Sequence, residues 1–387
     1  MVAVDIYNFS ELLSFIFIFL VIFIFVVKTH KFFEVSKTEI LLIYFWHTFF
    51  ALIFLIIDLN HGHDSSGWYT NGERTYQGGY YGNDFMYLIS GILLKKIMIF
   101  YVAQNLIFNL FGALTIIMLY SILKKLCKSN INKIFFPYFV IFLFLPGFSF
   151  WTSGISKDVI SIFGMTLLYF SIVSNLNKKL FFTSILLIFF SRPFLIPFFA
   201  FGVYIFLFLK YFLNKKFNNI KKFFILILFT ILIFPFILFA NIGSEYMSVH
   251  NFTFNPFDLI QDIFRYIQSS QQYYSDTNLG IPKDTFGPLR YLYFLYMPFV
   301  LSFSNVFSIY FILENVYLLF FTILIIFNLK INNSKINSLT KIFYISVLIM
   351  FIIFPFTFSN YGIALRYKWL IIPFLFLAFL DFRKKIR

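Results

Sequence analysis

Residues 12–27 read LLSFIFIFLVIFIFVV, sixteen positions with no charge and only one hydroxyl, Ser14. A helix drawn through them has no polar face, and such a helix needs lipid or a very large core around it. Crossing the hydrocarbon of a bilayer takes about 20 apolar residues, with roughly 17 to 25 usual. Runs of the same kind recur at 40–57, 97–123, 134–150, 159–176, 180–191, 194–213, 223–240, 305–327, 342–358 and 369–381, about eleven crossings with the first. The pair at 180–213 reads as a hairpin broken at Ser191-Arg192-Pro193, and 291–304 is an extra apolar piece, re-entrant or the first part of a bent span. The expected fold is all-α: one polytopic membrane helix bundle over 1–387, with short interfacial helices in its outer loops.

Composition agrees. Of the 387 residues 60% are hydrophobic and only 12% charged, about half the roughly 25% charge of an ordinary soluble domain. A water-soluble globule is excluded, and no polar stretch is long enough for a separate soluble domain. The 65 Phe, with abundant Ile, Lys and Asn, follow from AT-rich coding and carry no catalytic meaning. The single Cys127 excludes an internal disulfide and a cysteine metal site. Asp5 and Glu11 stand where a cleaved signal peptide would be basic, so none is expected.

The net charge of +15 resolves into a topology signal once the charges are placed. Loops 28–37, 124–133, 178–179, 210–222, 330–341 and 383–387 hold 21 of the 31 Lys and Arg, all on one side. Cytoplasmic loops are the Lys- and Arg-rich ones, which places the N-terminus outside, the C-terminus inside, and removes nucleic acid as a partner. The other face carries two long polar segments, 58–96 and 241–290, and two short ones near 151–158 and 359–368. Loops longer than about 15 residues are uncommon without a job, so function is expected on that outer face.

The first outer segment reads Asp58-Leu-Asn-His61-Gly-His63-Asp64-Ser-Ser-Gly-Trp68-Tyr69, then a Gly- and Tyr-rich stretch to Asp84. Phe85 to Leu94 is apolar but too short to span, and reads as an amphipathic helix in the interface. No cofactor is required by the sequence. His61 and His63, beside Asp64, are the only candidates for a divalent metal, because His-x-His sets both rings on one side of an extended strand. Further on, Lys157-Asp158 stands where a helix begins, and a carboxylate suits that position. Arg192 lies at the hairpin break, where an isolated Arg costs about 2.5–3.5 kcal/mol on insertion scales and so needs a partner. Arg290, Arg366 and Lys368 are further cations that defy the positive-inside bias. Inside the spans stand His47, read as a helix-packing group, and Glu314.

Cations held on the outer side imply an anion, and a planar guanidinium fits phosphate oxygens. Glycosyl transfer from a lipid phosphate needs a base for the acceptor hydroxyl and positive charge for the departing phosphate. Asp64 is the candidate base; Arg192, Arg290, Arg366 and Lys368 are candidates for the phosphate. The order of these features resembles the GT-C superfamily of polytopic glycosyltransferases. Its acidic first outer loop is matched by Asp64 with Tyr69 or Trp68, its interfacial "jaw" helices by Phe85–Leu94, its Pro-to-Asp turn by Pro146 to Asp158, and its break at a basic residue by Arg192-Pro193. The turn Trp151-Thr-Ser-Gly-Ile-Ser-Lys157-Asp158 and the late Asn360-x-Gly-x-x-x-Arg366-Tyr also resemble O-antigen polymerases.

The resemblance covers about 40–215 and the last helix. It implies a bacterial inner-membrane enzyme of O-antigen, lipopolysaccharide or capsule assembly, with its active site toward the periplasm or cell exterior. The donor would be a sugar or repeat unit on undecaprenyl (pyro)phosphate, the acceptor a glycan, with Lys157 and Asp158 in the substrate site and other polysaccharide-assembly proteins as partners. Two readings compete: a flippase for lipid-linked glycans, and an outer-face acyltransferase or assembly subunit.

Overall fold

The computed structural model describes residues 9–61, 64–76, 78–127, 133–174, 176–212, 287–296, 306–328, 336–357 and 361–383. The expected span at 223–240 and nearly all of segment 241–290 lie outside them. Among the described residues every regular element is a helix. Seven helical runs are long and apolar enough to cross a bilayer: Phe9–Phe33, Lys37–Asn60, Tyr101–Leu126, Pro193–Lys210, Tyr310–Phe327, Ser338–Thr357 and Gly362–Arg383. The chain divides into two compact units, Met1–Arg192 with Ser302–Asn328, and Pro193–Leu301 with Leu329–Arg387.

The first unit is built around α7 (Tyr101–Leu126), whose residues are buried on nearly every side. Around it stand α1 (Phe9–Lys28), the short α2 (His30–Phe33) and α3 (Lys37–His61). Between α3 and α7 the chain forms α4 (Asp64–Thr75), then α5 (Gly82–Met86), a π-helical stretch (Tyr87–Leu93) and a last turn, α6 (Leu94–Lys96). Thus the apolar piece Phe85–Leu94 is helical, within 82–96, and 64–75, read as loop, is helical as well. Small residues let the two approach: a side chain on Gly72 or Gly91 would overlap the other's backbone.

The expected span at 134–150 is two short helices, α8 (Phe136–Leu143) and α9 (Pro146–Trp151). Leu145 precedes a proline and is pushed into extended backbone, φ −62° and ψ 134°, which stops the helix there. The spans expected at 159–176 and 180–191 appear as α10 (Lys157–Val173), 17 residues, and α11 (Lys178–Ser191), 14 residues. The Ser156 hydroxyl accepts from the Val159 N–H and the Asn177 side chain from the Leu180 N–H, so both helices start on side-chain caps. Helix α14 (Val306–Phe327) completes the unit against α9.

The basic loops of this unit gather at one end. Glu39 pairs with Lys124 at 3.1 Å and accepts from the Tyr120 hydroxyl at 2.6 Å, Glu34 pairs with Lys125 at 3.2 Å, and Phe33 meets Phe170 of α10. Segment 64–96, the start of α10 and the close of α11 meet at the other end. The grouping of loops read from Lys and Arg is therefore seen within this unit.

In the second unit a 3-10 turn (Pro193–Leu195) leads into α12 (Ile196–Phe212), which packs along α15 (Ser338–Thr357) through Phe199–Phe343 and Phe198–Phe354. Of the apolar piece expected at 291–304, residues 291–296 fall in α13 (Gly287–Tyr296), and 297–304 lie outside the described residues. Helix α13 touches α15 and α16 (Tyr361–Tyr367). A 3-10 turn (Lys368–Leu370) then joins α16 to α17 (Ile372–Arg383), whose Asp381 accepts from the Tyr344 hydroxyl at 2.6 Å.

Candidate functional site

At the 64–96 end of the first unit, one apolar cluster joins Leu55, Trp68, Met86, Tyr101, Phe108, Ile155 and Ile160. It ties α3, α4, α5, α7 and α10 into a single floor, and the polar groups stand on it. Lys157, at the start of α10, reaches the Asn83 side-chain oxygen at 2.6 Å and sits 5.7 Å from the Trp68 ring centroid. Lys95 sits 5.4 Å from the Tyr69 ring, which in turn lies 5.3 Å from Tyr101. Two cations over aromatic faces are each worth about 0.5–2 kcal/mol, the more so where water is excluded. Burial, with the Glu11 carboxylate, pushes the Tyr69 phenol above its ordinary value, so at neutral pH it keeps its proton.

Arg192 and Asp158, nominated separately from the sequence, form a buried ion pair, the Arg192 Nη2 donating to Asp158 Oδ1. Asp158 lies in the first turn of α10, where the helix dipole also favours its charge. This is the partner that a buried Arg192 demanded. Because α11 runs back along α10, the residue that closes the hairpin meets the one that opened it.

Asp64 is placed differently. It opens α4, is exposed, and forms no hydrogen bond or ion pair with any described residue. The carboxylate the sequence reading passed over is Asp58, buried in the last turn of α3 at 1% exposure; its signal was an acid closing an apolar run. Asn83 and Lys95 were passed over too, since neither stands out in a loop rich in polar residues. His63 and the side chain of His61 lie outside the described residues, and among those described no group of three His, Cys, Asp or Glu could hold a metal.

A second polar layer lies in the middle of the first unit. The two His47 ring nitrogens meet Asn109 Oδ1 at 2.5 Å and Thr152 Oγ1 at 2.9 Å, and the Asn109 amide donates to Thr48 at 3.0 Å. His47 is a satisfied packing group. Glu314, 3% exposed, accepts from the Gly147 N–H at 2.5 Å, at the break between α8 and α9.

The remaining nominated cations belong to the second unit. Arg366 is half-buried and donates from Nε to the Gly362 carbonyl of its own helix at 3.3 Å. Lys368 is fully buried, its ammonium 5.0 Å from the Trp369 ring. Both were expected at the mouth of the last helix; they lie inside the helical run that leads into it. Arg290 is 5% exposed, donates from Nε to the Pro355 carbonyl at 2.7 Å and lies 6.0 Å from the Phe356 ring. Its Nη2 is buried and has no hydrogen-bond partner among the described residues. Burial lowers its pKa, yet a guanidinium stays protonated, and an unmet buried N–H costs about 1–3 kcal/mol, more when charged.

No protein-family model, curated protein or solved structure matches this chain.

Proposed function

We propose that the chain is a membrane glycosyltransferase or polymerase, moving a sugar or repeat unit from an undecaprenyl-(pyro)phosphate carrier to a glycan acceptor at the periplasmic face of a bacterial inner membrane. The observation that carries this reading is the gathering, between two spanning helices, of paired short helices α4 and α5–α6 with Lys157 set on Trp68 and Asn83. Aromatic rings suit the apolar faces of sugars, and cations beside them suit a phosphate leaving group.

In the step proposed, a carboxylate takes the proton from an acceptor hydroxyl. The freed oxygen attacks the anomeric carbon, and the bond to phosphate oxygen breaks with its electron pair on the lipid phosphate. Asp64, open to solvent, is the base in reach of an incoming acceptor, and Asp58, buried six residues earlier, is the alternative base. Arg192, neutralised by Asp158, holds the α10 start and thereby Lys157 in place.

The test is glycan chain length in cells carrying Asp64→Ala, Asp58→Asn or Lys157→Ala at wild-type protein level. Loss of long chains in the Asp64 or Asp58 variant, and a shift to short chains with Lys157→Ala, is expected; normal chains from all three would remove the proposal. Purified protein with lipid-linked donor, with and without chelator, reads metal dependence directly.

One observation favours a second reading, transport of the same lipid-linked glycan. Glu314 meets a broken helix inside the bundle, and transporters use ionisable groups at such breaks. Reconstituted protein that carries lipid-linked glycan across vesicles without a new glycosidic bond, and loses this with Glu314→Gln, would favour it.

A further inference from the structure

The nominated cations differ in one respect. Arg192 is neutralised by Asp158, and Arg366 is tied to its own helix. Among the described residues Arg290 hydrogen-bonds through Nε alone, to a carbonyl at the closing turn of α15, and lies over the Phe356 ring, while Nη2 stays buried without a partner. Capping α15 explains the Nε bond, since the last carbonyls of a helix welcome a cation. It does not explain the Nη2, because an exposed lysine would cap the same carbonyl without burying an unmet charge. A buried guanidinium that cannot lose its proton asks for an anion. Helix α16, which carries Arg366, packs against α13.

We infer that Arg290 is an anion-binding residue, whose Nη edge holds an oxygen of a phosphate group while its Nε stays fixed to Pro355. A phosphate is favoured because a planar guanidinium held rigidly at Nε presents its Nη edge in the geometry that phosphate oxygens accept. The inference concerns the second unit by itself and rests on the transfer reading only for the lipid arm of the ligand.

The experiment is calorimetric titration of the purified full chain in neutral detergent with inorganic pyrophosphate and, separately, with geranyl phosphate. Wild-type protein is expected to bind at least one of them. Binding of geranyl phosphate alone marks a lipid headgroup site; binding of pyrophosphate alone marks a site for free phosphate. Arg290→Gln is expected to weaken binding about tenfold or more, the loss of a charged hydrogen bond, and Arg290→Lys, which keeps the charge and loses the fork, to fall between. Wild-type protein that binds neither probe overturns the inference, as does wild-type affinity in the lysine variant. If the glutamine variant fails to fold, the lysine variant decides. A glutamine variant that melts earlier yet binds normally shows a helix cap and nothing more, and overturns it too. Because binding is read without turnover, its failure leaves the transfer reaction standing, and intact binding with no transfer removes the reaction alone.

Discussion

Asp158 and Arg192 lie 34 residues apart in the chain and meet at 2% and 5% exposure. A buried pair gives little net stability, because desolvation offsets the attraction, but removing one partner leaves a buried charge. Asp158→Asn or Arg192→Met alone should therefore cost about 3–5 kcal/mol, and the double change Asp158→Leu with Arg192→Met much less than the sum. Thermal unfolding in detergent checks this; single and double variants of equal stability would mean the pair is not coupled. That Arg192 needs a partner was legible in the sequence. Which acid supplies it was not, because that depends on how many turns α10 and α11 share. Two further acids differ in burial: Asp64, conspicuous in sequence, is exposed, while Asp58 at the end of an apolar run is buried.

Helix α4 contains Gly67, Gly72, Asn71 and two Ser, and its sequence has no apolar periodicity to announce a helix. It is held by docking: Trp68 enters the floor of the site, and Gly72 lies on Gly91. Tertiary contact overrides propensity there, and for that reason segment 64–75 was unreadable from sequence while Phe85–Leu94 was not. Gly91→Val should force the two helices apart and lower the melting temperature, by the roughly 1–3 kcal/mol usual for overpacking. Gly67→Ala meets nothing within 4 Å and should hold or raise it, since alanine favours a helix. Equal loss in both variants would mean α4 is not docked through Gly72. The break at Phe144–Leu145 was likewise missed, because a hydropathy run passes over Pro146 without notice, although the proline itself was the signal.

Hydropathy cannot tell a helix wrapped in lipid from one wrapped in protein, and this limits what eleven apolar runs say about the whole molecule. Among the described residues seven stand as long apolar helices; α10, with 17 residues, is buried almost throughout by its neighbours. The sidedness read from Lys and Arg makes a direct prediction. In intact cells a membrane-impermeant maleimide should label Asn83→Cys and spare Lys178→Cys, with both labelled after lysis. Native Cys127 adds little background, being 6% exposed with burial pushing its thiol up to about 12. Labelling of Lys178→Cys alone would invert the bundle.

The Gly147–Glu314 contact spans 167 residues of chain. Synthesis proceeds from the N-terminus, so the ribosome has finished α9 long before it makes the side chain that receives its first free N–H. Until then this half-crossing must wait with its backbone end unsatisfied, and the last step in assembling the first unit is the late arrival of α14. A nascent chain halted before residue 306 would hold every segment that flanks the break and still lack the group that closes it.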